Sequence, residues 1–356
     1  ETFARFGPQA AVPGYGILHI DRQFLPENIL NVIEYSNIPK LYSLMDTSAL
    51  ERSGILKVQT QSLLGYQGEG VLIGFLDTGI DFTHPAFRTS DGRSRIYRLW
   101  DQTIQSENVP DGFFYGSQYT NDDLNKALEQ EDPYEVVPSV DENGHGTFLA
   151  SVAAGTALPL QDFSGAAPKS EIVAVKLKPA KENLREFFLI RESAVAYQET
   201  DIMLALRYLI QCARQAQKPL VLCFALGTNQ GDHSGYMPLS EALDSISRMS
   251  DIYVISAAGN EAGKGHHFYG KTENTSGYQN VEVLVPENER GFTMELWASP
   301  PDLFAIGMIS PLGETIPPVP PRAGPVTSIS FLLEQTVVEL SYEPVEIASG
   351  GQLVFL

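Results

Sequence analysis

The sequence is poor in basic residues and in long apolar runs. Its 24 lysines and arginines stand against 44 aspartates and glutamates, which gives a formal net charge of −20 over 356 residues. Such a charge repels phosphate backbones and argues against sequence-independent binding of nucleic acid. The longest apolar stretches are strand-sized and fall short of the roughly 18 residues that a membrane-spanning helix needs, so no membrane partner is expected.

Cysteine and histidine are also scarce. The two cysteines, Cys212 and Cys223, lie in apolar stretches without CxxC spacing and are expected to be buried thiols rather than a disulfide framework. His266 and His267 are adjacent, and adjacent residues rarely converge on one metal ion, so we expect a solvated loop there. The sequence therefore predicts neither a metal site nor a cofactor.

Apolar segments of strand length alternate with amphipathic helical segments between residues 71 and 259. The four strand-like segments are VLIGFLD, IVAVKL, PLVLCFAL and IYVISAAG, and the clearest helical stripes are those of ETDIMLALRYLIQCARQAQ and PLSEALDSISRMS. Strands that are apolar throughout are typical of a parallel sheet that is buried on both faces. The repetition of strand and helix predicts an α/β fold, a doubly wound parallel sheet with helices on both faces.

The two flanking regions have different patterns. Residues 1–60, which include the helical-looking PENILNVIEYSN, predict a small α+β unit, whereas residues 61–275 hold the α/β domain. In residues 276–356 apolar and polar residues nearly alternate between Pro and Gly turns, as in an antiparallel β-sandwich. Because the chain opens on Glu1 and its final QLVFL resembles the middle of a strand, we expect the natural protein to be processed at its start and to continue beyond Leu356.

Two polar residues stand at predicted strand ends, where open α/β sheets place their ligand and catalytic sites. Asp77 ends an apolar strand, and Asn260 follows the strand that leads into AAG. Taken singly, Asp77 could cap a turn and Asn260 could belong to an ordinary loop. An amide N–H at such a strand end is also suited to stabilising a developing oxyanion.

His145 stands between Gly144 and Gly146, immediately before an apolar helical segment. The flanking glycines leave the imidazole open to close approach by a second group and by a substrate. A carboxylate partner would restore the proton affinity that a helix N-terminus takes from the ring, which gives a base that titrates near neutrality. A structural turn histidine is the alternative for this residue taken alone.

Together the segments DTGID, GHGT and AAGNE, in this order, resemble the Asp, His and oxyanion-Asn blocks of the subtilisin-like serine proteases. The resemblance covers roughly residues 63–270. It implies a serine endopeptidase with protein or peptide substrates, in which Asp77 orients His145, His145 is the base and Asn260 holds the oxyanion.

The same resemblance implies the residues that bind the substrate. An extended peptide is expected along Leu226, Gly227 and Thr228. The pocket for the side chain before the cleaved bond is expected between walls formed by Ala257, Ala258 and Gly259.

More narrowly, RIYRLWDQT, VKLKPAK, YQETDIMLALRYL and LGTNQGDHSG resemble the Csp subtilases of clostridial spore germination and their relatives in gut bacteria. This resemblance implies a prodomain at residues 1–60, which would be a partner of the catalytic domain. It also implies a jelly-roll module at residues 276–356, inserted between the oxyanion Asn and the catalytic Ser. A spore-associated or secreted bacterial location would follow from the same resemblance.

The Gly-Thr-Ser block that carries the nucleophile in this family is absent from the sequence. The nearest string, ENTSG, lacks the glycine before the threonine and the small-residue helix that should follow, so Ser276 is not expected to be the nucleophile. We expect the catalytic serine beyond residue 356.

Two other functions remain open at this stage. The protein could be an inactive pseudoprotease that acts as a binding or regulatory scaffold, although Asp77, His145 and Asn260 are all present. The β-rich region could also be a carbohydrate-binding domain, although it has no aromatic platform and no calcium-type acidic cluster. The remainder of the reading frame would distinguish the enzyme from the scaffold.

Overall fold

The computed structural model describes residues 9–12, 14–26, 28–44, 55–60, 65–158, 163–271 and 277–356. The strands within these residues are β1 (Gln9–Ala10), β2 (Gly16–Ile17), β3 (Leu41–Leu44), β4 (Leu72–Asp77), β5 (Ile96–Asp101), β6 (Ser117–Thr120), β7 (Glu171–Lys176), β8 (Tyr197–Gln198), β9 (Leu220–Phe224), β10 (Leu226–Gly227), β11 (Ile252–Ser256), β12 (Glu295–Ala298), β13 (Ile306–Ile309), β14 (Thr315–Val319), β15 (Thr327–Phe331), β16 (Thr336–Glu343) and β17 (Gln352–Phe355). The α-helices are α1 (Ile55–Thr60), α2 (Asn121–Leu128), α3 (His145–Ala154), α4 (Glu182–Phe187), α5 (Glu199–Ala216) and α6 (Pro238–Ser247). Among these described helices, none is both long and apolar enough to cross a bilayer.

A six-stranded sheet with the order β11-β9-β4-β7-β5-β6 forms the centre of the fold. The four predicted strands are β4, β7, β9 and β11, and they run parallel to one another. The prediction of a wholly parallel sheet is wrong at β6, which pairs antiparallel with β5. Residues 102–116 join these two strands without a crossover helix, and a parallel pairing would need such a crossover.

Helices cover both faces of this sheet, as the alternation of strands and helices predicts. Leu72 and Leu76 of β4 pack with α5 and α6, whereas Ile73 and Phe75 face the opposite way and pack with α2 and α3. At Gly74 an added Cβ would lie 3.2 Å from side-chain atoms of both Leu209 and Leu222, so the glycine lets α5 approach β4 closely. The fold is therefore α/β, with one core on each side of the sheet.

The strands differ in how far they are buried. Every residue of β4 is buried, as predicted. For β11, however, burial on both faces is the wrong prediction, because Tyr253 and Ile255 are 59% and 58% exposed. Ile252 and Val254 pack with α5 and α6 on one face of this edge strand, and Tyr253 and Ile255 point to the other.

The N-terminal region packs against the central domain. Strands β1 and β2 pair as a short hairpin, and Ala11, Val12 and Ile17 join the core that contains α5. Within PENILNVIEYSN the described residues form two separate 3₁₀ turns, Ile29–Asn31 and Tyr35–Asn37, so the continuous helical segment predicted there is not formed. Asparagine, serine and β-branched residues have weak helix propensity, which is consistent with this outcome.

Strand β3 lies at the centre of a second, three-stranded sheet with the order β10-β3-β8. Both neighbours run antiparallel to it. The paired residues are Leu41 with Gln198, Tyr42 with Tyr197, Ser43 with Gly227 and Leu44 with Leu226. A strand from the N-terminal region thus fills the space between two edges of the central domain.

The C-terminal region is antiparallel β-structure, as predicted. A four-stranded sheet has the order β12-β17-β16-β15, and β13 and β14 form a hairpin. Residues 281–294 form no strand, and β12 follows them. Tyr35 packs on Trp297 and Phe355, which joins the N-terminal region to this β-region.

Candidate active site

Asp77 and His145 form a hydrogen-bonded pair at the carboxyl end of the central sheet. Asp77 is the last residue of β4, and His145 is the first residue of α3. The His145 Nδ1 atom lies 2.9 Å from Asp77 Oδ1 and 3.0 Å from Oδ2. The side chains are 12% and 2% exposed, respectively, so little water separates or screens the two groups. These two of the predicted site residues are therefore brought together.

The two glycines beside His145 have different roles. Gly144 is the N-cap of α3 and has φ +84°, a left-handed conformation that favours glycine. Gly146 lies in the helix, where an added Cβ would come within 2.2 Å of the Gly79 carbonyl oxygen and 3.1 Å of Asp77 Cβ. The first glycine sets the direction of the chain and the second allows the start of the helix to approach the turn after Asp77.

The geometry fixes which nitrogen of His145 faces the carboxylate. A carboxylate only accepts hydrogen bonds, so the neutral ring carries its proton on Nδ1 and donates it to Asp77. The Thr78 N–H also donates to Asp77 Oδ1, at 2.7 Å, which holds the carboxylate in place. In this tautomer Nε2 is the basic nitrogen of the ring, as a general base requires.

Lys176 supports this pair and was not identified from the sequence. It ends β7 directly opposite Asp77 in the parallel register. Its Nζ donates to the Val140 carbonyl at 2.6 Å and to Glu142 Oε2 at 2.7 Å, which anchors the loop that leads to His145. The signal available in the sequence was a single lysine near the end of the otherwise apolar segment IVAVKL.

Tyr197 of β8 reports the electrostatic character of the site. Burial raises the pKa of its hydroxyl, and the negative charges of Asp77, Asp141 and Glu142 raise it further. Three carboxylates therefore act on one buried phenol.

Asn260 and the predicted pocket residues lie at the same carboxyl end of the sheet as Asp77 and His145. They follow β11, which is separated from β4 only by β9, so the strand spacing puts β11 about 10 Å from β4. Ala258, Gly259 and Asn260 are exposed and Ala257 is half-buried. The residues predicted to form the walls of a substrate pocket are thus accessible to solvent.

The predicted peptide-binding edge is occupied by the chain's own backbone. Leu226 and Gly227 pair with β3, as described above, while the Thr228 hydroxyl accepts from the Gln230 N–H at 3.1 Å. The Gln230 side-chain oxygen accepts from the Leu41 N–H at 3.1 Å, which fixes the start of β3. The edge accepts an extended strand in antiparallel pairing.

Three other histidines have structural contacts. His84 Nδ1 accepts from the Ala86 N–H at 3.2 Å and caps a 3₁₀ turn. His266 bonds to Glu261 at 2.5 Å, and His267 stacks on His233. The described part of the chain contains no group of three or more His, Cys, Asp or Glu residues that could hold a metal ion.

The structure describes both cysteines but not Ser276. Cys212 and Cys223 are both free thiols, as predicted, although only Cys212 is fully buried. Ser276 lies outside the described residues.

Comparison with known protein families identifies the class of protein to which this fold and this Asp–His pair belong. The subtilase family model matches residues 68–315. The chain belongs to the subtilase family.

Individual relatives agree with this assignment. The CspB protease of Clostridium perfringens has a similar structure, with a TM-score of 0.69, 26% identity, and coverage of 85% of this chain and 57% of that chain. The subtilisin-like protease SBT2.2 of Arabidopsis thaliana is 35% identical over 26% of this chain and 12% of its own length. The PII-type proteinase of Lacticaseibacillus paracasei is 24% identical over 75% of this chain and 13% of its own length. The chain thus spans about an eighth of the length of these two curated relatives.

Proposed function

We propose that this chain carries the Asp–His pair of a serine endopeptidase that cleaves peptide bonds by an Asp–His–Ser mechanism. Asp77 orients His145 and stabilises the imidazolium that forms during the reaction. His145 Nε2 takes the proton from the nucleophilic serine and returns it to the leaving amine. The observation that carries this proposal is the 2.9 Å contact between His145 Nδ1 and Asp77, with both side chains largely buried.

The substrate is proposed to bind as an extended strand. The proposed site is the edge at Leu226, Gly227 and Thr228. Its first two residues support this proposal, because they already pair with the backbone of β3. Such pairing recognises the main chain of the substrate and leaves specificity to side-chain pockets. Ala257, Ala258 and Gly259 are proposed as the walls of the pocket for the residue before the cleaved bond.

The oxyanion is proposed to be held by the Asn260 side chain together with a backbone N–H. Asn260 follows β11 at the same carboxyl end of the sheet as Asp77, and this position supports the role. The mechanism also needs a serine, which is expected outside residues 1–356. The relatives, a CspB protease and subtilisin-like proteases, are consistent with proteolysis.

Residues 1–60 are proposed to be a prodomain, residues 61–275 the catalytic domain and residues 276–356 a jelly-roll module. The position of β3 supports the first assignment, because a strand from this region lies where a substrate strand is proposed to bind. Cleavage is proposed between residues 53 and 67, of which 53, 54 and 61–64 lie outside the described residues. The antiparallel sheet of β12, β15, β16 and β17 supports the third assignment.

The proposal is tested by replacing Asp77 in the natural full-length protein. Asp77→Asn keeps the shape of the side chain but no longer selects the Nδ1–H tautomer, and kcat on a peptide substrate should fall about 10⁴-fold. Asp81→Asn is the control, because Asp81 Oδ1 accepts from the Thr83 N–H at 2.9 Å, the Thr83 hydroxyl at 2.6 Å and the Tyr134 hydroxyl at 3.5 Å, none of which belongs to the pair. Equal activity of the two variants would contradict the proposal, and absence of activity in the unmodified protein would favour a binding scaffold.

A further inference from the structure

Asp141 connects two segments of the site that are far apart in sequence. It lies four residues before His145 and is about half-buried. Its Oδ2 accepts from the Thr147 N–H at 2.9 Å and from the Thr147 hydroxyl at 2.6 Å. Its Oδ1 accepts from the Gly144 N–H at 2.9 Å and from the Thr78 hydroxyl at 2.7 Å. One carboxylate therefore holds both the loop before His145 and the turn after Asp77.

Thr78 completes the connection from the other side. Its hydroxyl donates to Asp141 and accepts from the Gly146 N–H at 2.9 Å. Its own N–H donates to the Asp77 carboxylate. The chain of bonds runs from Asp77 through Thr78 to both Asp141 and the first turn of α3. This is a short, continuous link between the two members of the Asp–His pair.

The four donors require an ionised carboxylate. Burial would raise the pKa of Asp141, but hydrogen bonds from Thr147 and Thr78 and from two backbone amides outweigh it and hold the pKa below its usual value. An amide in the same place has only one accepting oxygen. Its NH₂ group would then face either the two donors of Thr147 or the donors of Thr78 and Gly144. The hydrogen bonds to that pair of donors would be lost.

We propose that Asp141 is a positioning residue that sets the distance and orientation between His145 and Asp77 through Thr78 and Thr147. This role rests on the proposed function, since it presumes that the pair is catalytic. The effect of Asp141 on the contact between the two side chains does not depend on that function. Asp141 acts on this contact through its neighbours and takes no proton in the reaction.

The test measures the His145 ring in the intact 356-residue chain. Nitrogen-15 NMR distinguishes the Nδ1–H from the Nε2–H tautomer, and His145→Ala identifies the signal. We expect the Nδ1–H form to dominate in the unchanged chain. In Asp141→Asn the ratio of Nδ1–H to Nε2–H should fall about tenfold, because a bond network to a charged acceptor is lost. Thr78→Val should lower the ratio in the same direction.

Asp132→Asn is the matched control. Asp132 is an exposed residue of the same region, and its carboxylate accepts from the Tyr134 N–H at 3.0 Å without touching the pair. Its variant should leave the tautomer ratio unchanged. If Asp141→Asn does not fold, Thr78→Val alone decides, because it removes the bridge and leaves Asp141 bonded to its own loop.

A tautomer ratio in Asp141→Asn equal to that in Asp132→Asn would overturn the proposal. So would a change in Asp141→Asn with none in Thr78→Val, because Asp141 would then act within its own loop only. The readout needs no turnover, so a chain that cleaves no peptide can still pass this test. Failure here and failure of the proposed function are thus separate results.

Discussion

Gly146 lies against the carbonyl oxygen of Gly79, so closely that a Cβ on Gly146 would come within 2.2 Å of that atom. Gly79 follows Asp77 by two residues, and Gly146 follows His145 by one. The contact therefore sets how near the start of α3 can come to the end of β4. The pairing of His145 with Asp77 depends on the absence of one side chain.

Gly146→Ala should force these two segments apart. We expect a loss of about 1–3 kcal/mol in the free energy of unfolding, as for other overpacked sites, together with a changed His145 ring signal. Gly144→Ala is the control, because nothing lies within 4 Å of its added Cβ and only its left-handed φ of +84° is strained. It should cost about 1–2 kcal/mol and leave the ring signal unchanged. Urea unfolding and NMR measure both effects. Unchanged stability and an unchanged ring signal in Gly146→Ala would show that this contact does not limit how near α3 comes to β4.

Asn260→Ala should lower kcat in the active full-length enzyme by about 100- to 1000-fold, with little change in KM. The lost amide donor acts mainly in the transition state, and this magnitude is taken from an oxyanion donor of subtilisin, a member of the same family. Asn108→Ala, at an exposed loop position, is the control and should change neither constant. Steady-state kinetics with a peptide substrate decides, and an unchanged kcat would remove Asn260 from the mechanism.

Glu295 should make the stability of the chain depend on pH. Burial raises its pKa to about 7, against the hydrogen bonds from the Gly231 N–H and the Trp297 indole. Between the ordinary value of 4.5 and about 7 the folded chain holds a proton that the unfolded chain has lost, so stability falls as the pH rises through this window. The loss for this group is about 3 kcal/mol.

Glu295→Gln should remove most of this fall, and unfolding by urea from pH 4.5 to pH 8 measures it. A slope from Glu343 should remain, since burial and the charge of Glu346 also raise its pKa to about 7. Glu289→Gln is the control, because Glu289 is ion-paired with Arg191 and its pKa is lowered by that hydrogen bond. A pH slope unaffected by Glu295→Gln would contradict the assignment.

The central sheet could be predicted because its strands report their environment locally. VLIGFLD is apolar throughout and became β4, with every residue buried. Two further strands of this sheet are hidden from a search for apolar runs. Arg98 interrupts the apolar residues of β5, and β6 has the mostly polar sequence SQYT. The open face of β11 could not be predicted either, since IYVISAAG has the same composition as a strand buried on both faces.

The candidate site divides in the same way. Asp77 and His145 stand in short motifs, so the sequence alone suggested the pair. Lys176 and Asp141 support it through contacts between segments that are 34 and 63 residues apart, and such contacts leave no local pattern. The pairing of β3 between β8 and β10 is likewise a long-range relationship that only the structure reveals.

The N-terminal region should be cleaved in the active protein, between residues 53 and 67. A prodomain that guides folding would suit a parallel sheet, because its non-local strand pairings form slowly. Mass spectrometry of the purified active protein should find a new N-terminus in this range, with the released segment still bound through β3. An active protein with only its original N-terminus would contradict the assignment.

We expect His145, oriented by Asp77, to activate a serine for attack on a peptide carbonyl. A serine-directed fluorophosphonate probe detects this activation, because labelling requires an activated serine. We expect the natural full-length protein to be labelled and the His145→Ala variant of that protein to lose the label. The 356-residue chain alone should not be labelled. Undiminished labelling of His145→Ala would contradict the role of His145, and strong labelling of the 356-residue chain would place the nucleophile within it, with Ser276 the first residue to test.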